Sequence, residues 1–244
     1  MNATHARGEG AAVVLLVVTA LVTVLCVRLG VWQWHRALQR EAEHAAFERG
    51  AATLATLGGR ADALPLYQRV RVAGRLDAAH QFLLDNRSAR GNAGYEVLTP
   101  LLREGAPALL VDRGWVAFTG SRARLPDVAV DAPGTVELTG RLAPLPAPGL
   151  ALGHAAPPPG PSWPKVTGYP QLAELAAALG TPVESRILLL DPDAPYGTPV
   201  RDWQPAGPSP LRHYAYAVQW WCFAALPPLA LLVVRRRAAP GSKR

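Results

Sequence analysis

A histidine and several flat aromatic rings are concentrated in two short stretches of the chain. One stretch, Gly30 to Arg36, reads GVWQWHR, and the other, Arg212 to Trp221, reads RHYAYAVQWW. On a helix, His213, Tyr216 and Trp220 fall at positions i, i+3 and i+7 and share one face. An imidazole with two rings on one helix face offers the side chains that a haem site uses.

Two interpretations of these stretches stay open on spacing alone. In the first, the imidazole ligates haem iron, the rings cover the macrocycle, and Arg212 or Arg36 pairs with the propionates. In the second, the rings form an aromatic belt at the headgroup level of a bilayer, and the nearby His or Arg reaches toward water.

Enzymatic chemistry has no positive support in the sequence. There is no Gly-x-Ser-x-Gly motif and no phosphate-binding glycine loop. His44, His80 and His154 have no nucleophile beside them in sequence. Asp191 and Asp193 in LLLDPDAPYG are typical of a turn after a strand, because two prolines interrupt the calcium-loop pattern. We therefore expect a protein that is not an enzyme.

Two apolar runs are long enough to cross a membrane. Ala11 to Val27 holds 17 residues without a charge, and Ala215 to Val234 holds 20. At ~1.5 Å per residue each can span a hydrocarbon core of ~30 Å, the first only just. A cleaved signal peptide is the alternative for the first run, but bulky residues follow it where a signal peptidase requires small ones. We expect transmembrane helices over residues 11–29 and 214–234.

The net charge of +7 is concentrated after the second apolar run. From Arg36 to Arg212 there are 18 basic and 17 acidic residues, whereas the tail 235–244 has five basic residues and no acidic one. We therefore expect no nucleic-acid partner. By the positive-inside rule, residues 1–10 and the tail lie in the cytoplasm, and residues 30–213 form an extracytoplasmic domain.

The middle region has the pattern of a β-rich domain. Val70 and Val72 alternate with Arg69 and Arg71, which is the period of a half-buried strand. Further strand candidates are HQFLLDNR, GYEVLTPLLRE, APALLVDRGWVAF, GTVELTGRLAPL and SRILLLD. Their short connections favour an antiparallel sheet or a partly open barrel.

Helices, a turn and a proline-rich loop complete this region. The first helix continues past the membrane to about Gly50, and YPQLAELAAALG is a second helix with Pro170 in its first turn and Gly180 as its C-cap. Glu104 and Gly105 form a hairpin turn, and residues 142–164 are a proline-rich extended loop. The fold class is therefore a membrane α+β protein, with two transmembrane helices flanking an antiparallel β-rich domain.

Four motifs, in order along the chain, resemble those of the surfeit locus protein 1 family. LGVWQWHR resembles its opening Leu-Gly-x-Trp-Gln-x-x-Arg, and DNR followed by GYEVLTPL resembles its Gly-Tyr-x-Val-x-Thr-Pro-Leu block. LLVDRGWVA resembles its Val-Asn-Arg-Gly-Trp-Val-Pro block, and RHYAYAVQWW is similar to its closing His-x-x-Tyr-Ala-x-Gln-Trp. Asp112 stands where the family frequently has asparagine, and Ala117 where it often has proline.

The resemblance implies a role in respiratory-chain biogenesis. Proteins of this family are cytochrome c oxidase assembly factors, and the resemblance implies that the chain transiently binds haem, often haem a, and hands it to the large oxidase subunit. Haem a synthase is a further candidate partner, besides the lipid bilayer. The resemblance makes His213 the implied ligand of the haem iron. With Arg212 and His35 added from their place at the same interface, the candidate cofactor-binding residues are His213, Tyr216, Gln219, Trp220, Arg212, Trp32, Gln33, His35 and Arg36.

A haem-free scaffold that binds an oxidase subunit is the alternative function. Arg113, Gly114 and Trp115 are then candidate partner contacts, whereas a buried Trp with a structural Arg is the other interpretation of that motif. We expect a bacterial plasma membrane, because residues 1–10 do not form an Arg-rich amphipathic transit peptide.

Overall fold

The computed structural model describes residues 2–50, 52–146, 153–205 and 207–238. The chain divides into a helical unit, Met1–Glu43 with Gly207–Arg244, and a second unit, His44–Ala206. The elements in chain order are α1 (Asn2–Gly50), β1 (Leu54–Thr56), a 3₁₀ turn (Ala61–Ala63), β2 (Arg69–Leu76), β3 (Phe82–Ala89), β4 (Asn92–Leu102), β5 (Ala108–Ala117), β6 (Val136–Ala143), β7 (Lys165–Thr167), α2 (Leu172–Leu179), β8 (Val183–Leu190) and α3 (Pro210–Ala238).

The helical unit contains two helices that are long and apolar enough to cross a membrane. The candidate spans are Ala12–Gly50 in α1 and Pro210–Arg237 in α3. Only 6% and 11% of their most apolar windows are buried, so their apolar side chains face outward rather than into a protein core. α3 begins at Pro210, four residues before the transmembrane start expected from the sequence.

α1 and α3 pack together through small side chains. Ala37 on α1 and Ala217 on α3 are fully buried, and Cys26 and Ala224 are nearly so. At Gly30 an added Cβ would lie 3.0 Å from Cε2 of the Trp221 indole and closer still to its Nε1. Small residues let two helix backbones approach closely, which is how helices associate where no hydrophobic force drives them.

The second unit is built on a closed five-stranded barrel. β2, β6, β8, β5 and β4 are hydrogen-bonded in that order, and a short antiparallel pairing of β2 with β4 closes the ring. β3 pairs with β4 outside the ring, β7 pairs with β3, and β1 pairs with β2. Closure removes the exposed edges that an open sheet would leave on these strands.

Two layers of side chains follow from the alternation along the strands. One core cluster includes Val70 and Val72 of β2, which alternate with exposed residues, together with Val111 and Leu138. A second cluster contains Leu98, Leu110 and Ile187 from the opposite faces of the barrel strands, covered by Phe82 of β3 and Leu175 of α2. Burial of each such side chain contributes roughly 1.5–3 kcal/mol.

Several sequence predictions about local structure are confirmed. α1 ends at Gly50, and Gly180 caps α2 with a left-handed backbone at φ 69°. Gly105, also left-handed at φ 68°, lies in the turn between β4 and β5. All six predicted strand segments contain a strand of the sheet.

Other details of the predicted domain were wrong. The barrel is closed rather than partly open, and the sheet is mixed: β5–β8, β1–β2 and β3–β7 are parallel. A long connection that includes α2 separates β5 from β8, which makes their parallel pairing geometrically accessible. Pro170 precedes α2 rather than lying in its first turn, because Gln171 is the N-cap and its N–H donates to Glu174 Oε2 at 2.8 Å.

The proline-rich loop is shorter than predicted. Leu142 and Ala143 are buried residues of β6 rather than loop residues. Residues 147–152 of the predicted loop lie outside the described residues. The compact second unit begins at His44, because α1 continues unbroken past its apolar run. The extracytoplasmic boundary at residue 30 stays a prediction.

Candidate functional site

His213 and Gln33 meet between the two helices of the helical unit. Nδ1 of His213 lies 2.8 Å from Oε1 of Gln33, and both side chains are half-buried. His213 is in the first turn of α3, and Gln33 is on the face of α1 that also carries Gly30 and Ala37. Two residues from the opening and closing motifs are therefore in direct contact, although 180 positions separate them.

An aromatic cluster lies next to this pair. The rings of Trp34 and Tyr214 meet edge to face with centroids 4.7 Å apart, and those of Trp34 and Trp221 are 5.7 Å apart. Trp221 packs against Gly30 of α1. None of these four residues was among the candidate site residues, although all four belong to the two aromatic stretches. The packing of the two stretches against each other could have indicated these residues, but a helical wheel of one stretch does not show it.

The other candidates from α3 are exposed, apart from Trp220. Tyr216 is 46% exposed, and Arg212 and Gln219 are also exposed. Trp220 is half-buried, with its ring 5.9 Å from that of Phe223. The three residues of the predicted face therefore differ in their contacts. His213 has a described contact with α1, whereas Tyr216 is exposed.

The remaining candidates from α1 are exposed. Trp32 is 58% exposed, and His35 and Arg36 are exposed as well. Nη1 of Arg36 donates to Gln39 Oε1 at 3.1 Å. His35 is two residues beyond Gln33, and residues two apart do not share a helix face.

The central motif on β5 is tied into the second unit. Arg113 is only 4% exposed. Its Nε donates to the Tyr196 carbonyl at 2.6 Å, and its Nη1 donates to Gln81 Oε1 at 2.8 Å and to the Val128 carbonyl at 2.9 Å. Burial lowers the pKa of Arg113 to about 10. These contacts support the structural interpretation of this arginine over a partner contact.

Gly114 and Trp115 continue this arrangement. Gly114 has φ 116°, and an added Cβ would lie 2.6 Å from the Val200 carbonyl oxygen and overlap the Thr198 hydroxyl. The Trp115 backbone N–H donates to Val200 O at 2.8 Å, and its indole N–H donates to Arg87 O at 3.4 Å. The motif Arg-Gly-Trp therefore joins β5 to the segment that follows β8.

A buried carboxyl precedes this motif. Asp112 is 1% exposed; its Oδ1 accepts from the Gly114 N–H at 3.1 Å, and its Oδ2 has no hydrogen-bond partner among the described residues. Burial, and then the nearby Glu96 carboxyl, raise the pKa of Asp112 well above its usual value. Burial also raises the pKa of Glu96, against the opposing effect of Arg87, whose Nε lies 3.0 Å away.

The helical site has features that fit a haem. It offers a half-buried imidazole, three adjoining aromatic rings and outward-facing apolar helix surfaces. A haem iron requires only one or two axial ligands from the protein, because the macrocycle supplies the other four. The described residues contain no cluster of three or more His, Cys, Asp or Glu side chains that would hold a bare metal ion.

The fold and site together define a class of protein: a small β-barrel domain, flanked in sequence by two long apolar helices that hold one imidazole between them. The sequence profile of the SURF1 family matches residues 20–225. The chain belongs to the SURF1 family, which confirms the resemblance of the four motifs.

Curated relatives agree with this family assignment. Uncharacterized SURF1-like proteins of Mycobacterium bovis and of two strains of Mycobacterium tuberculosis are each 29% identical to the chain. The match covers 72% of this chain and 65% of each relative, just under two thirds of their length.

Proposed function

We propose that this protein is a membrane-anchored assembly factor for cytochrome c oxidase that transiently binds haem, in particular haem a, and passes it to the large oxidase subunit. Membership of the SURF1 family supports the assembly role. The contact of His213 with Gln33 supports haem handling, because it places an imidazole between the two helices beside aromatic rings. That contact is the observation that carries the proposal.

The membrane part of the proposal rests on both helices. Each is long and apolar enough to span a bilayer, and the second ends in Arg235, Arg236 and Arg237. The positive-inside rule then places both termini in the cytoplasm of a bacterium and the barrel outside its plasma membrane. His213, in the first turn of α3, would lie near the outer surface of the membrane.

Several side chains of the helical unit would contribute to haem binding. His213 would hold the haem iron, and Trp34, Tyr214 and Trp221 would limit the access of water to it. Arg36 and Arg212 are exposed cations within one turn of this pair in sequence, which suits pairing with propionates. The bound haem would supply an iron centre whose binding must be weak enough for release to the oxidase.

The test is a comparison of two interfacial histidines. The full chain is purified in mild detergent from cells that make haem a, as wild type, His213→Ala and His35→Ala. We expect Soret and alpha bands in the wild type and in His35→Ala, and their loss in His213→Ala that is still inserted and folded. Equal haem in all three variants would contradict the role of His213.

A haem-free scaffold is the second candidate, favoured by the large exposed aromatic rings of Trp32 and Tyr216. Because these rings are exposed, they are available to a partner helix. Co-purification of an oxidase subunit with protein that lacks a Soret band, abolished by Trp32→Ala and unaffected by His213→Ala, would establish this function instead.

A further inference from the structure

We infer that Gln33 is a positioning residue that fixes the tautomer and orientation of His213, so that Nε2 is the nitrogen presented to iron. The inference rests on the proposed function only in naming iron as the metal that Nε2 would bind. The tautomer itself is a property of the protein without haem. Gln33 thereby takes a role different from a direct cofactor contact.

The direction of the hydrogen bond follows from the two atoms. An amide oxygen carries no hydrogen and only accepts, so Nδ1 of His213, 2.8 Å away, must be the donor. A neutral imidazole has a single N–H, and its other nitrogen carries the lone pair. With the proton on Nδ1, Nε2 is the nitrogen able to bind a metal.

The neighbouring contacts hold this pair in register. Trp34 and Tyr214, the next residue on each helix, meet edge to face at 4.7 Å. Ala37 and Ala217, one turn beyond Gln33 and His213 respectively, are fully buried. The hydrogen-bonded pair, the neighbouring aromatic pair and the two buried alanines therefore limit the sliding and rotation of α1 against α3 near His213.

The neutral character of the Gln33 amide has a consequence for release. Histidine ligands commonly donate their second N–H to a carboxylate or a carbonyl, and a stronger acceptor makes the ligating nitrogen more basic. A carboxylate at this position would hold iron more tightly, whereas an amide orients the ring without that gain. An oriented but moderately basic imidazole binds iron less tightly, which suits a protein that must release its haem to a partner.

The first experiment reads the tautomer without haem. Full chain carrying ¹⁵N-labelled histidine is studied in detergent at pH 8, and the His213 resonances are assigned by their loss in His213→Ala. We expect the Nδ1–H tautomer in the wild type and in Gln39→Leu, an exposed glutamine of the same helix, and a shift toward Nε2–H in Gln33→Leu. An Nε2–H tautomer in the wild type would overturn the inference.

The second experiment adds haemin to the full chain and its variants. We expect Gln33→Leu to weaken haemin binding by about 10- to 100-fold, as removal of such a partner does at other metal sites. Gln33→Glu should bind more tightly, with a lower midpoint potential, and Gln204→Leu, at an exposed glutamine of the second unit, should match the wild type. Unchanged affinity and potential in both Gln33 variants would overturn the inference while leaving the proposed function intact. Failure of the wild type to bind haemin would instead contradict the proposed function, and the tautomer measurement would still decide the role of Gln33.

Discussion

Asp112 is a carboxyl group in a position that favours a neutral side chain. It is buried, one of its oxygens has no hydrogen-bond partner among the described residues, and Glu96 lies nearby. Ionisation would add a negative charge near Glu96, and the opposing effect of Arg87 is smaller than those of burial and of Glu96. A protonated Asp112 resembles asparagine in shape and in lacking a charge, which accords with the asparagine that the family resemblance places at this position.

Asp112→Asn should therefore change how stability depends on pH. The pKa of Asp112 is raised in the folded protein, so the folded state retains a proton that the unfolded chain releases above about pH 4. The contribution of Asp112 to stability is fully present below that pH and is lost as pH rises toward its folded pKa. We expect the advantage of the variant in unfolding free energy to grow by about 1 kcal/mol or more between pH 5 and pH 8.

Urea unfolding of the full chain in detergent, followed by tryptophan fluorescence at several pH values, measures this difference. Asp131→Asn is the matched control, because Asp131 is exposed and undergoes the same chemical change. An Asp112→Asn advantage that does not vary with pH would show that the folded protein carries an ionised Asp112.

Gly114 of β5 has a backbone conformation and close neighbours that both favour glycine. Alanine there would combine a backbone at φ 116° with overlap of Thr198 and Val200. We expect Gly114→Ala to destabilise the second unit by roughly 2–4 kcal/mol. Gly105→Ala is the control, with φ 68° and open space around the added Cβ, and should cost only about 1 kcal/mol. Similar midpoints of thermal unfolding for the two variants would contradict the steric argument.

At the scale of elements, Arg113 joins β5 to three other segments. It donates to Gln81 before β3, to Val128 before β6 and to Tyr196 after β8. We expect Arg113→Met to lower the unfolding free energy by roughly 2–4 kcal/mol, because several buried acceptors lose a charged donor. Arg71→Met should cost less than about 1 kcal/mol, since its ion pair with Glu137 is exposed.

The same variant separates the two interpretations of the central motif. A partner contact at Arg113 would leave the unfolding free energy of the isolated protein unchanged and would weaken only co-purification with an oxidase subunit. A loss of stability in the isolated protein, measured by urea unfolding, supports the structural role that its buried hydrogen bonds indicate.

The packing of α1 on α3 depends on Gly30. A Cβ at this position overlaps the Trp221 indole, so Gly30→Ala must displace that ring and the edge-to-face cluster around Trp34. We expect altered near-ultraviolet circular dichroism and a lower thermal midpoint in detergent. Gly10→Ala is the control on the same helix, because nothing lies within 4 Å of its added Cβ. Identical spectra for both variants would show that the indole moves without cost.

The sequence predicted the helices and strands better than it predicted which of them pair or make contact. Alternation along Arg69–Val72 and the apolar runs depend on neighbouring residues, and they correctly predicted strands and helices. Parallel pairing of β5 with β8 depends on residues far apart in the chain, which local periodicity does not contain. For the same reason, His213 and Gln33 were both candidates, but their contact was not foreseen.

At the scale of the whole molecule, the distribution of charge determines the expected orientation. Five basic residues are concentrated in the short tail 235–244, which includes the last turn of α3, whereas the second unit is close to neutral. Long exported regions contribute little to orientation, so the tail should dominate. A barrel outside and a tail inside would place His213 on the outer side, where the proposed release of haem takes place.

Cysteine labelling tests this orientation directly. Cys26 and Cys222 are free thiols and are replaced by alanine, and single cysteines are introduced as Ser121→Cys, an exposed position of the second unit, and Lys243→Cys in the tail. In spheroplasts treated with a membrane-impermeant maleimide, we expect labelling at position 121 and none at 243, because the basic tail stays inside. Detergent-permeabilised cells should label both positions, which controls for reactivity. Labelling at 243 in intact spheroplasts would invert the topology and move His213 to the cytoplasmic side, so that any haem it binds would have to leave toward the cytoplasm.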